Sequence, residues 1–389
     1  MIPRVIKLPI GKKSFFLFGP RQVGKSTLVR KELAQKYHIE IDLLKRDEFL
    51  KYRLDPALFR SEIEFAAKNG KKFIVFIDEI QKLPFLLDEI HYLIEKFKGQ
   101  LTFILTGSSA RKLKRSSVNM LAGRAWEFRL YPFTFMELGD AFHLNDALLK
   151  GTLPPIVHEN PEDAFFTLKA YTQTYLKEEI LDEALVRNVE AFGRFLDIAA
   201  DQSGRIVNYS TIGRDTGVSG KNIKNYYQIL EDTLIAIRLE PYLKSARKRL
   251  VRHPKYYLFD IGVINSLCSR ITPRSITVPT VLGNLFEHFI ILETKRLVHY
   301  GKRPAKLFHW RSSQGAEVDL IIEEEENLFA VEIKTMRRVK KADLRGLRSF
   351  CKDYPQAIPM CVSICDRPYT AGEIPVLPWR DFFHELDLV

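Results

Sequence analysis

Unbroken apolar runs of strand length recur through the first third of the chain, at 14–18, 73–77 and 101–106, separated by stretches whose apolar residues follow helical spacing. Strands buried on both faces read this way, and their alternation with helices predicts a parallel sheet covered on both sides. Gly151-Thr152-Leu153-Pro154-Pro155 breaks the pattern, and a helical region then runs to about residue 190. Past Phe195 the character changes. Residues 208–219 read as a short helix, a glycine-containing turn and a new helix start, and 221–233 keep Ile223, Tyr226, Tyr227 and Leu230 at helical spacing. Strand-like arms at 234–243 and 255–259 flank a basic segment. Farther on, a helical run over 284–297 precedes two strands, 317–322 and 328–334, joined by a polar turn at 323–327.

The first apolar run leads into Gly19-Pro20-Arg21-Gln22-Val23-Gly24-Lys25-Ser26-Thr27, which contains a complete G-x-x-x-x-G-K-S loop between a strand and a helix. Glycines let such a loop wrap its N–H groups around a triphosphate, and the helix start adds partial positive charge. In this reading Lys25 reaches the β- and γ-phosphates and Ser26 holds Mg²⁺. The second run ends in Asp78-Glu79. Carboxyl ends of parallel strands face the ligand crevice, so Asp78 is expected to accept a Mg²⁺-bound water and Glu79 to polarise the attacking water. The plainer alternative is an acidic pair that merely ends a strand.

The chain next shows Gly107-Ser108-Ser109 after its third run, then Leu121-Ala122-Gly123-Arg124, Pro132-Phe133-Thr134-Phe135-Met136-Glu137 and Tyr171-Thr172-Gln173-Thr174-Tyr175-Leu176. With the GPRQ-x-GKS loop and the strand ending in Asp-Glu, these resemble a prokaryotic branch of the AAA+ ATPases. The resemblance spans nearly the whole chain. It implies ATP and Mg²⁺ as cofactors, Ser108 as a γ-phosphate sensor, a helical lid over the nucleotide, and a homo-oligomeric ring of six subunits. Arg124 becomes the first choice for an arginine finger reaching a neighbour's ATP, with Arg115 and Arg129 as rivals. The phosphate loop begins only eighteen residues in, so any N-terminal helix on the adenine side must be abbreviated.

Two further resemblances follow from the later elements. The helix-turn-helix and its strand arms resemble a winged helix, with Lys221 on the second helix and Lys244, Arg247, Lys248, Arg249 and Arg252 in the wing as candidate DNA contacts. Winged helices also dock proteins, and that alternative stays open. Asp319, Glu332-x-Lys334 and Glu287 on the preceding helix resemble the PD-(D/E)xK nuclease core. Two carboxylates on adjacent strands can hold Mg²⁺ against a phosphate while Lys334 orients water, although many such domains bind DNA without cutting it.

Composition is consistent with these readings and excludes others. The 389 residues are 46% hydrophobic, enough for two to four domains at roughly 100–200 residues each. The expected fold class is α/β: an AAA+ P-loop core over 1–140, a helical lid over 141–194, a winged helix over 195–279 and a restriction-endonuclease-like domain over 280–389. No apolar stretch has the length of a membrane span, and Pro9 and Gly11-Lys12-Lys13 interrupt any signal-peptide pattern, so no membrane role and a cytoplasmic location are expected. Cys268, Cys351, Cys361 and Cys365 lack metal-type spacing. The net charge of +12 gathers at 111–115, 244–252 and 337–348, which points to a polyanionic partner. The reading as a whole is an ATP-driven ring motor on branched or duplex DNA, of helicase or branch-migration type. Its alternatives are an ATP-regulated endonuclease and a nucleotide-controlled switch that ignores DNA.

Overall fold

The computed structural model describes residues 2–388 except 69, 110, 112, 114–120, 122, 177–187, 244–252 and 273. The chain forms two compact units: Ile6–Tyr131 with Asp232–Ile235, and Met1–Val5 with Pro132–Glu231 and Ala236–Val389.

The first unit is a five-stranded parallel sheet of β1 (Ser14–Phe18), β2 (His38–Asp42), β3 (Phe73–Asp78), β4 (Leu101–Gly107) and β5 (Ala125–Arg129), in the order β2-β3-β4-β1-β5. Every residue of β1 and β3 is buried, which is why these segments read as continuous apolar runs rather than as alternation. Helix α1 (Lys25–Leu33) follows β1 and buries Leu28, Val29 and Leu33. Helix α2 (Leu86–Lys96) turns Leu86, Leu87, Ile90 and Leu93 inward, the stripe expected of a helix lying on a sheet. Since β1 lies between β4 and β5 while the chain crosses to β2 at the far edge, the crevice outside the carboxyl ends beside β1 is where such sheets place ligands.

In the second unit an eight-stranded mixed sheet gathers β6 (Ala236–Pro241), β7 (Lys255–Leu258), β8 (Lys306–Arg311), β9 (Glu317–Glu324), β10 (Asn327–Lys334), β11 (Ile358–Ser363), β12 (Tyr369–Ala371) and β13 (Ile374–Pro378), in the order β12-β13-β11-β10-β9-β8-β6-β7. Helix α3 (Pro279–Tyr300) covers one face, with Phe286, Phe289, Ile290 and Leu297 in one core with Leu320, Ile322, Val331 and Ile333. Helix α4 (Arg345–Asp353) covers the other, its Leu347 and Phe350 packing with Trp310, Ile321 and Ala330.

Among the described residues the expected strands and the helix-turn-helix are present, while 177–187 of the expected lid lie outside them. The helix-turn-helix, Tyr209–Thr216 and Gly220–Asp232, turns at left-handed Gly217. The strand arms pair antiparallel as β6 and β7, yet β6 also pairs parallel to β8, so the expected winged helix and the expected nuclease-like region share one sheet. The region expected to be a lid belongs to this unit too. Asn265, fully buried, donates to the carbonyls of Leu148 (2.9 Å) and Leu149 (2.8 Å). The expected boundaries at 141, 195 and 280 therefore fall inside, or next to the start of, a single compact body. The Pro-x-Thr-Phe-x-Glu stretch has a structural role in it: Thr134 and Glu137 cap each other's backbone, and Glu137 also accepts from the Val5 N–H (2.9 Å) and faces Arg4 (3.2 Å).

Candidate functional site

The loop from Gly19 to Ser26 departs from ordinary backbone at two points, Gln22 (φ 64°) and Gly24 (φ 90°). Gly24 takes the left-handed region without steric cost and opens α1. That helix start has no side-chain cap and no acidic residue in its first turn, so its N–H groups and dipole favour an anion. Val23 is buried and anchors the loop, whereas Arg21 is partly exposed and Gln22 and Thr27 are exposed. Lys25 is buried and donates to the carbonyls of Gly19 (2.8 Å) and Pro20 (3.0 Å), folding the loop back on its own ammonium.

Ser26 Oγ donates to Asp78 Oδ1 at 2.8 Å, bringing the start of α1 to the end of β3. Thr106 on β4 donates to the same carboxylate and accepts the Glu79 N–H (3.3 Å), so one hydroxyl fixes both acids of the strand end. Arg30 lies 3.4 Å from Asp78 Oδ2 and also faces Glu40 (2.8 Å) and Asp42 (3.5 Å). A hydroxyl and a carboxylate side by side are hard oxygen donors of the kind Mg²⁺ takes together with phosphate oxygens, so this pair fits the ion the loop implies.

Glu79 adopts the left-handed conformation (φ 62°, ψ 45°), which is costly without glycine and recurs at functional sites. Gln81 is buried, and its Nε2 donates both to Glu79 Oε2 and to Ser108 Oγ (3.1 Å). The neighbouring Ser109 is occupied structurally, accepting the Arg111 N–H at 2.9 Å. Arg124 pairs with Glu95 (2.5 Å) at the surface, holding that carboxyl down at about 2. Arg129 faces Glu127 (3.2 Å), and Arg115 lies outside the described residues.

Residues 11–139 match the family described as AAA domain. This segment is an AAA-type ATPase domain. Residues 141–275 and 282–382 match two families described as domains of unknown function, DUF8612 and DUF4143. An uncharacterized protein of Mycobacterium tuberculosis, Rv2008c, is 27% identical over 340 residues, 87% of this chain and 73% of its own. An uncharacterized protein of Haemophilus influenzae is 24% identical over 207 residues, 47% of this chain and 52% of its own. Among solved structures, domain III of the Thermotoga maritima replication initiation protein DnaA is similar at 18% identity, over 58% of this chain and 86% of that one. Its TM-score of 0.26 is too low for a comparison of detail.

C-terminal to the ATPase domain, Asp319, Glu332 and Lys334 line a cavity of about 780 Å³ together with Glu317, Asp343 and Arg345. Burial, then repulsion from Glu332 and Glu287, pushes the Asp319 carboxyl far above the ordinary range. Burial likewise raises Glu332, against the pull of Lys334 at 2.6 Å. Asp319 Oδ2 accepts the Ile333 N–H (2.8 Å), and Glu332 Oε2 is buried without a partner. Glu287 is not among the cavity's lining residues. Its carboxylate is held by the Tyr257 hydroxyl (2.8 Å) and by Lys255 (3.0 Å), and Lys255 also pairs with Glu317 (2.9 Å). Among the described residues no group of three or more acidic, histidine or cysteine side chains is arranged to hold a metal ion. Asp319, Glu332 and Lys334 line this cavity together, Glu287 is held by Lys255 and Tyr257, and those two are the residues sequence reasoning missed. Nothing in the sequence pairs Lys255 with a helix thirty residues later; only the β7 position does.

Of the DNA-contact candidates, Lys221 is exposed in the first turn of Gly220–Asp232, while Lys244, Arg247, Lys248, Arg249 and Arg252 lie outside the described residues. No helix among the described residues is long and apolar enough to cross a membrane.

Proposed function

We propose that this protein is an ATP-hydrolysing AAA+ motor that acts on DNA, with Lys25 on the β- and γ-phosphates, Ser26 and Asp78 holding Mg²⁺, and Glu79 activating the attacking water. The observation that carries the reading is the contact of Ser26 with Asp78 beside a helix start free of acidic residues, which supports a metal-triphosphate site in the AAA-type domain. The bound Mg²⁺ supplies neutralisation of phosphate charge. Glu79 takes a proton from water as the water oxygen bonds to the γ-phosphorus and the bond to the β–γ bridging oxygen breaks, leaving ADP and phosphate. Arg124, which pairs with Glu95 at the surface, serves as the finger toward a neighbour in a homo-oligomeric ring, six subunits being the expected number.

DNA, duplex or branched, is the proposed partner. The charge of +12 and the cationic segment at 244–252 support it. ATP turnover measured with single-stranded, duplex, forked and four-way DNA tests the motor: stimulation by one of these forms is the expected result. Indifference to all of them would favour a nucleotide-controlled switch instead. A second reading, an ATP-regulated endonuclease, draws on Asp319 and Glu332 sharing one cavity with an unpartnered carboxylate oxygen.

A further inference from the structure

We propose that Gln81 is a positioning residue for Glu79, and that through Ser108 it ties the orientation of that carboxylate to the end of β4. The inference deepens the ATP-hydrolysis reading and rests on it. Glu79 ends a buried strand in a left-handed conformation, so its side chain leaves the sheet in a direction that neither strand nor helix geometry fixes. The only hydrogen bond given to its carboxylate among the described residues comes from Gln81 Nε2. The same nitrogen reaches Ser108 Oγ at 3.1 Å, and an amide nitrogen carries two protons, so both acceptors are served at once. The reverse amide orientation would set an oxygen against the carboxylate.

Gln81 is itself held by close packing. A Cβ added at Gly107 would lie 2.6 Å from Gln81 Oε1, so the amide lies directly against the glycine backbone at the end of β4. That Oε1 is buried and makes no hydrogen bond, leaving one acceptor at the centre of the site beside the carboxylate. An apolar side chain of the same size would keep the packing and lose the grip on Glu79. Glutamine at this place is therefore a functional choice: a buried, half-satisfied amide is costly to keep for packing alone.

The test is steady-state ATP hydrolysis and direct binding of a fluorescent ATP analogue by the full chain carrying Gln81→Leu, Glu79→Gln or both. Gln81→Leu is expected to lower kcat roughly tenfold or more, part of what a general base contributes, with nucleotide affinity unchanged. The double variant is expected to be no slower than Glu79→Gln alone, because both changes disable one group. Wild-type kcat in Gln81→Leu, a loss confined to nucleotide affinity, or losses that multiply in the double variant would each overturn the proposal. Gln81→Glu gives an independent reading: a carboxyl at 81 can donate to Glu79 only while protonated, so its kcat relative to wild type is expected to fall as pH rises. A ratio constant with pH would overturn the proposal. Wild type and Glu79→Gln separate the two layers of inference. If wild type hydrolyses no ATP the hydrolysis reading itself is lost, whereas normal behaviour of that pair with an indifferent Gln81→Leu removes only the role of Gln81.

Discussion

Lys255 Nζ stands 3.0 Å from Glu287 Oε1 with only 4% of the lysine side chain exposed, so an internal ammonium occupies the acid that a nuclease core would offer to a metal. Burial works against the ammonium, and Glu287, Tyr257, Glu317 and Asp319 together outweigh it and hold Lys255 well above its ordinary pKa. With Lys334 beside Glu332, two lysines already offset the charge of the carboxylate cluster.

Lys255→Met is accordingly expected to destabilise the second unit by about 3–5 kcal/mol, the usual effect of stripping one partner from a buried ion pair. Lys255→Met combined with Glu287→Gln is expected to recover part of that loss. Urea denaturation followed by circular dichroism measures both, and equal stability of Lys255→Met and wild type would mean the pair is not desolvated.

Metal-dependent cleavage is expected to be absent. Incubation of the full chain with supercoiled and four-way DNA in Mg²⁺ or Mn²⁺ is expected to leave both intact. Nicking that disappears in Asp319→Ala while ATP turnover persists would make the endonuclease reading the better one.

At the nucleotide site, Lys25→Ala is expected to abolish binding of an ATP analogue, since it removes the buried ammonium from the phosphate loop. Glu79→Gln is expected to bind ATP normally and to hydrolyse it about a hundredfold more slowly or worse, the scale of a lost general base. Wild-type turnover by Glu79→Gln would show that another group positions the water.

Replacing Lys248, Arg249 and Arg252 together with alanine is expected to weaken DNA binding evenly across sequences. The log–log salt slope is expected to become shallower by up to about three, near one per lost phosphate contact. An unchanged slope would assign the segment to protein docking.

A pH dependence follows from Glu293, which is fully buried and pushed up to about 7 by burial, with Arg296 at 2.7 Å pulling the other way. A carboxyl whose folded pKa is raised binds more protons in the native state. Its contribution is present below its ordinary value of 4.5 and is lost as pH rises through about 7, an effect on the order of 3 kcal/mol. His288, pushed down to about 4 by burial, acts in the opposite sense as pH falls. The comparison of wild type with Glu293→Gln across pH 4.5–7 isolates the carboxyl. Parallel stability curves for the two proteins would refute the assignment.

Sequence by itself determined the parts whose signal is local. An apolar run ending in a glycine-rich loop, another ending in Asp78-Glu79, and a helix-turn-helix spacing are set by backbone sterics and burial within a few residues, and each element appears where the pattern put it. The two strands that carry Asp319 and Glu332 were legible for the same reason, whereas the convergence of those carboxylates on one cavity was not. Tertiary structure alone decided what depends on distant segments. The parallel pairing of β6 with β8, the Asn265 bonds to Leu148 and Leu149 and the Lys255 ion pairs join the later regions, and the β7 position brings Lys255 to Glu287. At the nucleotide site, Gln81 reads in sequence as one more polar residue after a strand. Its contact with Glu79 and Ser108 exists because β3 and β4 run side by side and Glu79 turns left-handed between them, a backbone choice that no periodicity records.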